Sequence, residues 1–237
     1  MNRAHFTPPF SPGAMPAWRC PHCPDGALAS VKDTLKQYET AQSRASSAYP
    51  DWDRAWDVRR FFMLMKCVNC DGPVLCIGKI ESIEGHSEEH GGVFWDVLVP
   101  TCFEPTVPVM PIPEICPEAV REEVLNASAW VWCSPSSAGN TMRAAVERLM
   151  DALGVASAGS LQARIQAYAA KNQDVADKLL AMKGIAHTGG HADPLDLSDA
   201  LDAFEILECC LESIYEGRSA RLESLAAAIP PAAPPPK

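Results

Sequence analysis

The chain has 237 residues, of which 47% are hydrophobic and 21% charged, and a net charge of −10. That apolar share is ordinary for a globular protein and excludes a wholly disordered chain, and the length suits one large domain or two modest ones. Acids outnumber bases in both halves, 14 to 10 over residues 1–116 and 16 to 10 over residues 117–237, which disfavours tight nonspecific binding to a polyanion.

In chain order, residues 1–17 (MNRAHFTPPFSPGAMPA) are proline-rich and lack the apolar core of a signal peptide. They read as a flexible arm. Residues 18–103 read as a β module. "RRFFMLMKC" (59–67), "PVLCIGKIESI" (73–83) and "GVFWDVLVP" (92–100) are rich in β-formers and bounded by Gly, Asp or Pro. An inserted helix is predicted over "LASVKDTLKQYETAQ" (28–42). Residues 104–116 hold four prolines, with a fifth at Pro117, and predict an extended linker.

From Pro117 the pattern turns helical, and residues 117–229 predict a bundle. Pro117 with acids behind it suits a helix start. Ser134 is a predicted N-cap, Pro135 the first helical residue and Gly154 the stop, with Met142, Val146, Leu149, Met150 and Leu153 on one face. Further apolar stripes run through Leu161, Ile165 and Tyr168, then Val175, Leu179, Met182 and Ile185. The last runs from Leu197 to Ile214, capped by Asp196 or Ser198 and stopped at Gly217. Five amphipathic helices with short links predict a compact bundle. Residues 230–237 (PPAAPPPK) predict a disordered, polyproline-like tail. No segment approaches a membrane-spanning length. A cytoplasmic protein is expected, whose ten cysteines remain thiols or bind metal.

"CPHCPDG" (20–26) and "CVNCDG" (67–72) share one plan: Cys, two residues, Cys, then Asp-Gly at once or after one residue. Two thiolates at this spacing grip one face of a tetrahedral ion, and two such pairs complete a closed four-cysteine site with no position left for water. The expected ligands are Cys20, Cys23, Cys67 and Cys70, around one structural Zn2+. Gly26 and Gly72 are expected to turn the chain so that backbone amides face sulfur. Cys76 or His22 can replace one ligand. Cys102, Cys116, Cys133, Cys209 and Cys210 show no ligand spacing and are expected to be buried small apolar residues.

Three other clusters carry chemistry-bearing residues. "HSEEH" (86–90) has Ser87 where a zinc protease needs glutamate, and flanking glycines make it a hairpin loop. "DWDRAWDVRRFF" (51–62) interleaves aromatics with arginines, as single-stranded nucleic-acid grooves do, but three aspartates oppose that. An edge strand or turn packing Trp52 and Trp56 is the expectation. Arg54, Arg59, Arg60 and Lys66 are the cations that could still form a local basic spot. "KGIAHTGGH" (183–191) reads as a turn between helices.

The helical half, through "PEAVREEVLNASAW", "AGNTMRAAVERLMDALG" and "MKGIAHTGGHADPLDLSDALDAFEILECCLESIY", resembles the bacterial family called domain of unknown function 4145. Its members often carry an N-terminal "W-x-C-P-x-C" zinc ribbon, matched here by "WRCPHC". The resemblance covers about residues 18–216. It implies kinship with HEPN helical domains, many of them dimeric ribonucleases of defence systems. It also implies fusion or association with restriction-enzyme subunits. By resemblance, Arg143, Glu147 and His191 match family positions, while Lys183 stands where arginine is usual and Ala186-His187 replaces Gly-Asn. HEPN nucleases place four to six residues between an arginine and the histidine, whereas three lie between Lys183 and His187 and seven between Lys183 and His191.

RNA cleavage through a 2′-hydroxyl needs a base near neutral pKa and a cation for the developing phosphorane charge. His191 or His187 could be the first, and Lys183 or Arg143 the second. Alternatively, Arg143 and Glu147 pair with each other one helical turn apart, and His191 fixes the following helix. The expected class is therefore α+β: a four-cysteine zinc-ribbon β module with an inserted helix, followed by an all-α HEPN-like bundle. The leading functional expectation is a non-catalytic, zinc-stabilised binding or scaffold protein, an accessory of a bacterial or mobile-element restriction or defence system. It would work through a protein partner, with apolar stripes broad enough for a homodimer. A metal-independent ribonuclease centred on His191 and a nucleic-acid-binding ribbon are the alternatives.

Overall fold

The computed structural model describes residues 1–87, 91–156, 159–188 and 194–217, with the backbone alone at 55, 85–87, 91–92 and 183–188. Five strands form one antiparallel sheet: β1 (Leu28–Ser30), β2 (Lys36–Glu39), β3 (Arg59–Cys67), β4 (Pro73–Ser87) and β5 (Gly91–Glu104). β3 pairs with β4 and β4 with β5, while β1 and β2 share the other edge of β3. The strands form where the alternation predicts them, because β3 sends Phe61, Met63, Met65 and Cys67 inward and the residues between them outward. β4 and β5 both run past the end of β3, whose first residue Arg59 faces Ile80, so their far portion is a two-stranded ribbon.

The expected helix over residues 28–42 is corrected. Leu28–Ser30 and Lys36–Glu39 are strands, and only Ala41–Ser46 is helical (α1), capped by the Thr40 hydroxyl. Between the strands Asp33 adopts a left-handed conformation, φ 62°. The Thr34 hydroxyl donates to the Val31 carbonyl at 2.7 Å and accepts from Leu64 N at 3.1 Å. The open edge of β3 supplies a ladder of backbone partners that an isolated helix would not have.

The expected flexible arm is corrected as well. Phe6 and Phe10 are buried, and Phe10 exchanges two backbone hydrogen bonds with Leu98 of β5. Trp18, fully buried, donates its indole N–H to the His5 carbonyl at 2.6 Å. Its ring meets Phe10, Phe103 and Trp132 edge-on. Arg3 pairs with Asp202 and bonds Ser198, and the Met1 amine sits 2.5 Å from Glu208. Proline richness here shapes a packed strap between sheet and helices.

Residues 105–116 lie outside helix and strand, with a turn at Glu114–Ile115 where an extended linker is expected, and Val107, Val109 and Met110 are buried. Five longer helices follow: α2 (Glu118–Trp130), α3 (Pro135–Ala152), α4 (Leu161–Tyr168), α5 (Gln173–Thr188) and α6 (Leu197–Leu211), which continues as a π-turn through Glu216. The predicted caps hold: Ser134 starts α3 with Pro135 behind it, and Asp196 and Asp199 form a reciprocal capping box on α6. Gly154 and Gly217 take positive φ at helix ends. Met142, Val146, Leu149, Met150, Leu179, Phe204 and Leu207 fill the core between α3, α5 and α6. Among the described residues, no helix is long and apolar enough to cross a membrane.

Candidate metal centre

The first cysteine pair lies in the turn just before β1, and the second in the turn from β3 to β4. These turns are neighbours because β1 pairs with the end of β3, Leu28 opposite Cys67. The 43 residues between Cys23 and Cys67 therefore impose no separation. The two turns repeat one hydrogen-bond pattern. Cys20 N donates to the Gly26 carbonyl at 2.9 Å, and Cys67 N donates to the Gly72 carbonyl at 3.0 Å. His22 N donates to Cys20 Sγ at 3.2 Å, and Asn69 N to Cys67 Sγ at 3.3 Å. Cys70 N adds a longer contact to Cys67 Sγ, 3.5 Å.

The four sulfurs of Cys20, Cys23, Cys67 and Cys70 lie within 4.8 Å of one another. Cys20 and Cys70 are 3.7 Å apart, and Cys23 and Cys67 3.6 Å. A disulfide requires about 2.05 Å, so these are free thiols, as all ten cysteines are. A tetrahedral ion with ligand bonds of ~2.3 Å sets its sulfurs ~3.8 Å apart. The donor set is thus positioned to hold a metal ion and is compatible with zinc. The backbone N–H groups of Cys70 and Asn69 lower the Cys67 thiol to about 6, while burial raises that of Cys20 to about 12.

Gly26 shows how closely the chain is drawn around the sulfurs. A Cβ at that position would stand 2.3 Å from Cys67 Sγ and 2.6 Å from Cys23 Sγ. The role expected of the two glycines is corrected in part: neither has a positive φ, and the left-handed residue of the second turn is Asp71, φ 57°. Gly26 makes room rather than turning the chain. The Asn69 side-chain amide, 3.7 Å from Cys23 Sγ, was not foreseeable, since an Asn between two cysteines has no distinctive spacing.

The two substitute ligands stand elsewhere. His22 Nε2 lies 3.1 Å from the Pro73 carbonyl, and Cys76 is buried on β4 opposite Met63 and Phe103. Cys116 and Cys210 are buried as expected, but Cys102, Cys133 and Cys209 are exposed.

The other candidate residues do not converge on a described site. Arg143 and Glu147 pair with each other across one turn of α3 at 3.4 Å, both about half exposed. Lys183 and His187 fall in the last turns of α5, which runs to Thr188 and corrects the expected turn over most of "KGIAHTGGH"; their side chains are not among those described. His191 lies outside the described residues, as do residues 88–90 of "HSEEH" between β4 and β5. In the arginine-aromatic segment, Arg59 is held by Asp96 at 2.6 and 2.8 Å and by Asp57 at 3.0 Å. Arg54 lies over the Phe94 ring at 5.3 Å, and Lys66 bonds Asp71 at 2.9 Å. Arg60 alone of the four expected cations has no acidic partner among the described residues. Trp52 and Trp56 are 41% and 46% exposed, short of the packing expected of them.

Residues 8–106 match the family profile of a domain of unknown function (DUF8608), and residues 126–230 match that of a second (DUF4145). The first match contains all four clustered cysteines and begins inside the packed arm. The second supports the family resemblance of the helical half. No curated protein and no solved structure matches the chain.

Proposed function

We propose that this chain is a non-catalytic, zinc-stabilised binding or scaffold protein, with one Zn2+ held by Cys20, Cys23, Cys67 and Cys70. The observation that carries the reading is the convergence of four sulfurs in two equivalent turns. Four protein ligands close a tetrahedral shell, so such an ion would fix shape rather than activate water. It would clasp β1 to the β3–β4 turn, and its binding energy would become folding energy for the sheet. The pairing of Arg143 with Glu147 supports a structural role for these residues. The scaffold would act in the cytoplasm, where thiolates persist, through a protein partner. The resemblance of the helical half suggests a bacterial defence assembly and a homodimer through the bundle.

Native mass spectrometry of the purified full chain tests the reading. One zinc per chain is expected, lost together with thermal stability on treatment with a strong chelator, and no cleavage of added RNA. A metal-free chain whose melting ignores chelator would overturn it, and so would RNA cleavage abolished by His191→Ala.

A further inference from the structure

The sheet has two faces, and among the described residues only one is covered. The inner face packs on the arm, Trp18 and Trp132. The register places a second set of side chains together on the outer face. One row runs Lys36, Phe62, Ile77 and Cys102, and the next Tyr38, Arg60, Lys79 and Val99. Leu64 and Leu75 continue the band at one end, and Ile83 and Trp95 at the other. Tyr38 is 62% exposed, Trp95 50%, Phe62 40% and Ile77 37%. An antiparallel sheet that shows water one face ordinarily makes that face polar. A continuous apolar band on it marks a site of interaction.

The charges on this face narrow the occupant. Lys36, Arg60 and Lys79 lie among the apolar residues, with two carboxylates on the same face: Glu81, which Lys79 meets at 2.5 Å, and Glu104, opposite Leu75 at the end away from Trp95. Lys36 and Arg60 have no acidic partner among the described residues, on a chain whose net charge is −10. Two copies packed face to face would bring like charges together, which disfavours a symmetric sheet-to-sheet dimer. A nucleic acid would gain from Tyr38, Phe62 and Trp95, but the first two rings already stack on each other at 6.0 Å, and Trp95 is the one further ring in the band. Leu64, Leu75, Ile77 and Val99 offer it no stacking plane.

From these observations we infer that the outer face of the sheet docks an acidic amphipathic helix of a protein partner, laying its apolar ridge along the Phe62–Ile77–Trp95 band with carboxylates reaching Lys36 and Arg60. The band extends from Trp95 to Cys102 along β5, about 23 Å at ~3.3 Å per residue. That span matches roughly 16 residues of helix at 1.5 Å each. An amphipathic helix laid in an apolar groove is an established mode of recognition.

The inference rests on the binding-module reading above and names its surface. The test uses the full metal-loaded chain and a synthetic helical peptide of about 18 residues, with leucines on one face and glutamates along both margins, compared with a twin bearing lysines instead. Calorimetry should show the acidic peptide binding, the lysine twin not, and affinity falling as salt rises. Arg60→Glu, at an exposed position, should weaken binding at least ~10-fold while leaving zinc content and the melting curve unchanged. Equal binding of both peptides, or of neither, would overturn the inference. Preference for an oligothymidine over the acidic peptide would replace it with a nucleic-acid platform, and a homodimer broken by Phe62→Glu would assign the face to a second copy. Loss of the zinc reading shows instead as metal-free protein, so the two failures are distinct.

Discussion

Replacing Gly26 with alanine introduces one methyl group where the chain passes the sulfurs. Its carbon would stand 2.3 Å from Cys67 Sγ, 2.6 Å from Cys23 Sγ and 2.9 Å from Cys20 Cβ, well inside ordinary contact of ~3.5–4.0 Å. None of these atoms belongs to a flexible side-chain end once an ion ties the thiolates together, so the turn must open. Overpacking of this kind costs about 1–3 kcal/mol, and each 1.4 kcal/mol is a factor of ten. Zinc affinity should therefore fall roughly 5- to 150-fold, read by competition with a chromophoric chelator. Cobalt substitution should show weakened tetrahedral absorption in the same variant. Gly72→Ala is the milder comparison, because its Cβ would meet the His22 ring at 2.4 Å, which can swing aside, and the nearest sulfur, Cys70 Sγ, only at 3.2 Å. Its cost should stay under ~1 kcal/mol. Wild-type affinity in Gly26→Ala, or an equal loss in Gly72→Ala, would refute the account of Gly26 as the space-maker of the site.

Three further outcomes follow from the geometry. Cys70→Ser should reduce bound zinc below one per chain, whereas Cys76→Ser, on a residue outside the cluster, should leave stoichiometry unchanged by elemental analysis. Phe10→Ala should lower unfolding stability by about 3 kcal/mol in urea titrations, because its ring is buried against Trp18; a loss near zero would mean the arm is not packed. Asp96→Asn should destabilise the chain by about 1 kcal/mol or less at neutral pH, since its partly exposed pair with Arg59 is screened by solvent. The Arg59 guanidinium holds the Asp96 carboxyl below its usual range, so the linked stability is complete above ~pH 4 and fades as pH falls through the lowered value. Denaturant melts at neutral and acid pH should show the gap between wild type and variant narrowing with acid; a constant gap would refute the linkage.

How much of this was legible beforehand depended on whether the deciding interaction was local. β3 spans the nine residues that alternation marks out, and α3 begins at Pro135 behind Ser134, because pleat, proline and cap act within a few residues. The four-cysteine cluster was legible because a Cys-x-x-Cys turn is a short, self-contained motif, and two copies name each other as partners. Leu28, Val31, Leu35 and Tyr38 fall at helical spacing, yet the edge of β3, some thirty residues on, claims that segment as strand. The arm misled for a similar reason: its prolines speak for an extended backbone, while the pockets that receive Phe6 and Phe10 are built by distant residues. Gly26 reads from the sequence as a turn residue, but its role as space-maker could not be read, because the sulfurs crowding it belong to both turns and appear only once they meet.

The arm and the rings around Trp18 bear on any attempt to study the halves apart. A cut in the proline-rich stretch between sheet and helices would follow the most obvious seam in the sequence. The helical fragment would then show Trp132, partly buried against Phe6, Trp18 and Phe103, to solvent. It would also leave Glu208 and Asp202 on α6 without the Met1 amine and Arg3. Such a fragment should be sticky and prone to precipitate, and its companion should lose the Trp132 ring that packs on Phe6 and Trp18. Dissection by excision is ill suited to this chain; point substitutions within the whole are the better scalpel.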